Sequence, residues 1–250
     1  MIEVVTLDAI SGADLMKMKS TKHQYCIEEI LPKGLSILTC DDLGWARCMA
    51  LELGLYVSSG TEMWRRDVQQ GTVLHMIHED SQAVTGNRLR LMTKTVPKTL
   101  RFGIAPEITL DLAIYALNTF VPANPDTSLV VVELDTPLVF RNEKLYDTAD
   151  TLLQYSRLKE LAERYKIAVV VVQRYVTNLI GTNISSLKQA ACISDVADCH
   201  LELRLKRNTK NRGVLRRYSR KYGNVVWEMA YTWPAQRWEL KRRTRPEAKI

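Results

Sequence analysis

Leu158-Lys-Glu-Leu-Ala-Glu-Arg-Tyr-Lys-Ile-Ala-Val-Val-Val-Val172 holds the fold in miniature. Its first half closes a long amphipathic pattern over residues 146–165, with Leu152, Leu153, Leu158, Leu161 and Ala162 apolar, which predicts a helix. Its second half, from Ile167, is an unbroken apolar run of the kind a strand shows when both faces of a parallel sheet are covered. Working outward, strands are predicted at 34–38, 71–78, 99–104 and 129–132, and helices at 46–56, 81–92 and 110–120. The turn-rich stretch 124–128 punctuates the chain before the 129–132 run. After Asp198 the period changes to two over 201–205, 225–231 and 236–240, which read as antiparallel strands added at one edge. The pattern defines an α/β class: a mostly parallel central sheet with helices on both faces. No repeat or linker divides it, so residues 25–250 read as a single domain and 1–24 as a segment packed on or leading into it.

The composition, 250 residues with 46% hydrophobic and 25% charged, excludes a disordered tail, a collagen-like repeat and a membrane span. The net charge of +7 is unevenly placed. Residues 201–250 hold 15 Lys and Arg against 4 acids, whereas the first 200 hold 20 against 24. The amino-terminal stretch carries Glu3 and lacks the basic flank and apolar core of a signal peptide. Five cysteines, with no C-x-x-C pair, predict free thiols in a reducing cytoplasm and no zinc site. Cys192, Cys199 and His200 lack a fourth metal ligand, and His75 and His78, three apart on a strand, point to opposite faces.

Several segments, in their order and spacing, carry a family resemblance. Tyr25-Cys-Ile-Glu-Glu-Ile-Leu-Pro-Lys-Gly-Leu-Ser-Ile-Leu38 leads into the first strand, and Gly71-Thr-Val-Leu-His-Met-Ile-His-Glu-Asp-Ser81 ends a strand in a Glu-Asp pair. Residues 128–133 stand where a Walker B strand belongs, the opening stretch where a helix and sensor strand belong, and Gln236-Arg-Trp-Glu-Leu240 where the last strand belongs. Together they resemble the RecA-like P-loop ATPases, and within them the AAA-type group that includes RepA-like replication ATPases of plasmids and mobile elements. The resemblance implies a P-loop NTPase fold, ATP and Mg²⁺ as ligands, DNA replication as the setting and a homo-oligomer of hexamer-like ring form. It also implies a catalytic role for Glu79, a Walker B role for Glu133 and a sensor role for Gln173.

A working P-loop has G-x-x-x-x-G-K-[ST] directly after the first strand, so that backbone N–H groups curl round the phosphates while lysine and hydroxyl hold charge and Mg²⁺. Here Cys40 and Trp45 take the glycine positions, Ala46 the lysine position and Arg47 the Ser/Thr position, with Gly44 one place early. Asp41 and Asp42 add two carboxylates to a loop meant for a polyanion. Each like-charge contact at about 4 Å is worth roughly 1 kcal/mol in water and about 4 at an effective dielectric near 20. These residues predict impaired ATP binding and hydrolysis. Arg47, or a neighbouring subunit, supplying the missing cation is the alternative, an active atypical ATPase or helicase-like motor. Glu79 equally fits a carboxylate that caps the next helix.

The basic end concentrates its charge in Arg204, Lys206, Arg207, Lys210, Arg212, Arg216, Arg217, Arg220 and Lys221, nine cations in 18 residues with no acid among them. Tyr218 and Tyr222 are interleaved. Three uses stay open: nucleic-acid phosphates, an inter-subunit contact in which Arg220 matches the family's arginine finger, or protection of a sheet edge.

Overall fold

The computed structural model describes residues 10–17, 24–134, 145–174, 196–206, 209 and 211–244. Helix α1 (Gly12–Lys17) precedes a small antiparallel pair, β1 (Tyr25–Ile27) and β2 (Leu31–Pro32). The core then alternates: β3 (Gly34–Cys40), α2 (Leu43–Ser59), β4 (Thr72–His78), α3 (Gln82–Met92), β5 (Leu100–Ala105), α4 (Leu110–Ala123), β6 (Thr127–Glu133), α5 (Leu145–Tyr165) and β7 (Ala168–Arg174). Four strands complete it: β8 (Cys199–Leu205), β9 (Arg212–Tyr218), β10 (Val225–Thr232) and β11 (Arg237–Thr244). They form one nine-stranded sheet of order β11-β10-β9-β8-β3-β7-β6-β4-β5. Strands β8 to β5 in that order run parallel, and β9, β10 and β11 add antiparallel at the β8 side.

The predicted α/β class stands, and the physical reason is visible in the two cores. One face of the sheet buries Leu38, Val131, Val170, Val172 and Trp227 against α2, and the other buries Ile37, Val130, Val132, Val169 and Val171 against α4 and α5. Strands covered on both faces must be apolar at successive positions, which is why β6 and β7 read as unbroken runs. Helix α2 is buried almost all round, as its apolar sequence requires, and stops at Gly60, whose φ of 69° supplies the left-handed cap. Gly34 enters β3 at φ 102°, where an added Cβ would stand 2.3 Å from the Asp198 carboxylate. That carboxylate accepts the Leu35 N–H at 3.0 Å and pairs with Lys159 at 3.3 Å, tying β3, α5 and the entry to β8 together.

Two local outcomes differ from the sequence reading. Residues 212–218, read as part of a basic stripe, form β9, with alternating exposure that sends Leu215 and Arg217 to the α2 side. Helix α2 begins three residues earlier than predicted, because Asp42 caps it. No helix among the described residues is long and apolar enough to cross a membrane.

Candidate functional site

The junction between β3 and α2 is where a P-loop would lie. Cys40 is the last residue of β3 and Leu43 is already helical, so Asp41 and Asp42 are the whole connection. The Asp42 carboxylate accepts the Gly44 N–H at 2.8 Å. Its backbone carbonyl takes the N–H groups of Trp45 at 3.2 Å and Ala46 at 3.5 Å. A helix N-terminus binds an anion through free N–H groups and a positive dipole end. Here the chain's own aspartate holds that position. Trp45 turns away into an aromatic cluster, its ring 4.4 Å from Tyr231, 5.4 Å from Trp233 and 5.5 Å from Trp238. Burial pushes the Cys40 thiol up to about 12, an inert group beside the junction.

One turn into α2, Arg47 reaches the sheet. Its Nε stands 2.9 Å from Glu133 Oε2, and Glu133 Oε1 is 2.8 Å from His75 Nε2. Glu133 and His75 are buried and Arg47 nearly so, with side-chain exposures of 3%, 0% and 20%. The His75 ring stacks on Phe102 at 5.6 Å. Parity explains the meeting: Leu129, Val131 and Glu133 share the β6 face that looks at α2. A Walker B carboxylate holds the metal together with a hydroxyl at the helix start. In this chain the carboxylate at the end of β6 is paired instead with the Arg47 guanidinium, a permanently charged cation. The donors present do not fit Mg-ATP. The hydroxyl and the lysine are replaced, and the Asp42 carboxylate takes the Gly44 N–H at the helix start.

The other resemblance-derived positions do not converge on this pair. Glu79 opens a short 3₁₀ turn after β4 and is exposed. Gln173 is buried on the opposite face, with Val169, Val171 and Tyr155, so it cannot share a water with Glu133. Beside it Thr39 Oγ1 lies 2.8 Å from His200 Nε2, and burial pulls the His200 imidazole down to about 4. No three His, Cys, Asp or Glu side chains among the described residues form a metal cluster. Cys192 lies outside them.

The basic end divides into unlike parts. Arg217 is 3% exposed, and its guanidinium donates to the carbonyls of Glu29, Tyr222 and Gly223 and lies 5.8 Å from the Trp227 ring centroid. It organises the β9–β10 turn and is not part of a nucleic-acid surface. On the other face, Glu202 gathers Arg204 at 2.6 Å, Arg216 at 3.2 Å and the Tyr218 hydroxyl at 3.4 Å, while Lys206 pairs with Glu228 at 3.5 Å. Arg212, Arg220 and Lys221 are exposed, Lys221 over the Tyr222 ring. Arg207 and Lys210 lie outside the described residues.

Three groups escaped the sequence reading. Glu202 looked like an ordinary outward residue of an alternating strand, yet it is buried under three partners. Glu52 gave a usable signal, the one acid in a mostly apolar helix whose other charged residue is Arg47. Arg88 on α3, whose Nη2 comes within 3.5 Å of where a Cβ on Gly44 would be, gave none.

The strand order defines the class: an α/β fold of the RecA-like P-loop kind, with a buried Arg47–Glu133 ion pair at the end of β6. A crystal structure of the RadB recombinase has this fold, with a TM-score of 0.57 and 16% identity over 82% of this chain and 90% of that one. No family model and no curated protein sequence matches the chain.

Proposed function

We propose that this chain is a RecA-like scaffold that has given up ATP binding and hydrolysis and works as a nucleic-acid-binding or assembly component in plasmid or mobile-element replication. The observation that carries the first half is the Arg47–Glu133 ion pair, which spends the candidate stand-in cation on the carboxylate that would position metal. Asp42 supports it by occupying the helix end that phosphate would need. The second half rests on the cations Arg204, Lys206, Arg212 and Arg216 at the ends and rim of β8 and β9, and on Arg220 and Lys221 at the turn. The likeness to a recombinase fold is in keeping with a nucleic-acid role. In a ring-like homo-oligomer, Arg220 at the exposed turn would face a neighbour.

Isothermal titration with Mg-ATP tests the reading. The expected result is no saturable heat at concentrations up to about 1 mM, an affinity weaker than roughly −4 kcal/mol. Micromolar binding with turnover sinks it. In the active-ATPase alternative, Glu79→Gln abolishes a measurable hydrolysis rate, and absence of a rate in the parent protein disposes of that alternative.

A further inference from the structure

Glu52, in the middle of α2, is fully shielded from solvent. One carboxyl oxygen accepts the Trp238 backbone N–H at 2.8 Å, and the other, Oε1, has no hydrogen-bond partner. The Nε–H of Arg237 is a second buried group without one. Both residues line the same cleft, of about 680 Å³, beside the outer edge of β11. A buried polar atom left unpaired costs about 1–3 kcal/mol, and two at one cleft point to a ligand that would satisfy both.

The walls narrow the chemistry. The Tyr56 ring lies 5.3 Å beneath the Arg237 guanidinium. Trp64 and Arg65 both adopt left-handed backbone, at φ 53° and 61°, an uncommon state for consecutive non-glycine residues. That turn brings the Trp64 indole N–H to the Trp238 carbonyl at 2.9 Å. The N–H and C=O of Trp238 are therefore both taken by side chains, and an extended peptide cannot add to β11 there. At the rim, Arg65 and Arg242 are exposed and make no ion pair among the described residues. Aromatic walls, free cations and a volume of this size match a nucleotide with its phosphates. A duplex keeps its bases stacked away from such a wall; a single strand presents them.

We propose that the cleft between α2, the Trp64–Arg65 turn and β11 binds one nucleotide of a single-stranded nucleic acid, the base against the aromatic wall and the phosphates on Arg65 and Arg242. The base edge meets Glu52 and Arg237. Burial pushes the Glu52 carboxyl up to about 8, so at neutral pH Oε1 is an O–H donor beside the Arg237 N–H donor. Two donors select an acceptor, the oxo group of thymine, uracil or guanine, over the exocyclic amine of adenine. This rests on the nucleic-acid reading above and gives it a place and a base preference.

The test is fluorescence anisotropy with labelled oligothymidylate and oligodeoxyadenylate of about twelve nucleotides. The parent protein binds oligothymidylate more tightly. Arg65→Ala with Arg242→Ala, two exposed positions that leave folding intact, weakens binding of both by roughly tenfold. Arg237→Met and Glu52→Leu erase the preference for thymidylate, while Glu52→Gln, which keeps an N–H donor, retains it. If the parent binds neither oligonucleotide, this site and the nucleic-acid reading fall together. Should the parent bind and Arg212→Glu with Arg216→Glu weaken it while the cleft variants do not, the cleft falls and the wider reading stands. Displacement by polyglutamate as effective as by oligothymidylate also overturns the proposal, in favour of an acidic peptide.

Discussion

Arginine meets glutamate on both faces of this sheet, with opposite consequences. At the start of α2, Arg47 and Glu133 are sealed against His75 beneath the sheet, and the pair has no charge left to offer. On the opposite face, at β8 and β9, a single buried carboxylate, Glu202, is shared by Arg204 and Arg216, whose side chains are 46% and 35% exposed. Two cations on one anion leave a net positive charge at the surface. The same chemistry cancels a charge in one place and leaves one over in the other, and burial and stoichiometry make the difference.

The largest expected effect breaks the buried half. Glu133→Ala strands Arg47 and costs about 3–5 kcal/mol, whereas Arg47→Met with Glu133→Leu recovers most of it, as measured by urea unfolding. A metal-binding role for Glu133 predicts the reverse for nucleotide affinity, so Arg47→Ser with Ala46→Lys is a companion test. It remains without Mg-ATP affinity, because Asp42 still holds the helix end. Next, Arg217→Ala costs about 3 kcal/mol through the carbonyls it abandons, while its neighbour Arg216→Ala changes stability by less than about 1. Parity along β9 is the whole reason. Third, Arg212→Glu with Arg216→Glu lowers oligonucleotide affinity by roughly tenfold and flattens its salt dependence, read from anisotropy across a salt series. Asp42→Ala, the loss of one helix cap, is the smallest of these at about 1 kcal/mol.

A pH series sharpens the picture from inside. Glu52 is raised from 4.5 to about 8 by burial, so between those values the folded protein holds a proton the unfolded chain has released, and stability falls as pH rises. His200 is lowered from 6.5 to about 4 by burial, so over that interval the unfolded chain holds the extra proton and stability rises with pH. The two oppose one another up to the ordinary histidine range, and above it, among the described residues, the Glu52 fall continues toward about 8. Glu52→Gln removes that upper fall in chemical unfolding measured through neutral pH.

The strand and helix periods were readable because a doubly covered sheet leaves no polar alternation to confuse them, as in β6 and β7. That same uniformity hid the site. An apolar run gives no sign of which face its terminal residue takes, and Glu133 and Gln173, given Walker B and sensor roles by resemblance, lie on opposite sides of the sheet. Arg217 was hidden for a related reason: nothing local marks it as a core residue, since its partners come from the following turn and from Glu29, 188 positions earlier.

By itself the sequence determined the α/β class, the added antiparallel strands, the absence of a glycine-lined phosphate loop and the concentration of positive charge at one end. These follow from residue type and period, which act over a few positions along the chain. Tertiary structure alone decided that Asp42 caps the helix, that Arg47 neutralises Glu133, and that Glu52 Oε1 and Arg237 Nε are left without partners in one cleft. The reason is physical. Whether a charge is spent or available depends on its partner, its depth and its face, and those are set by elements distant in sequence that only folding brings together.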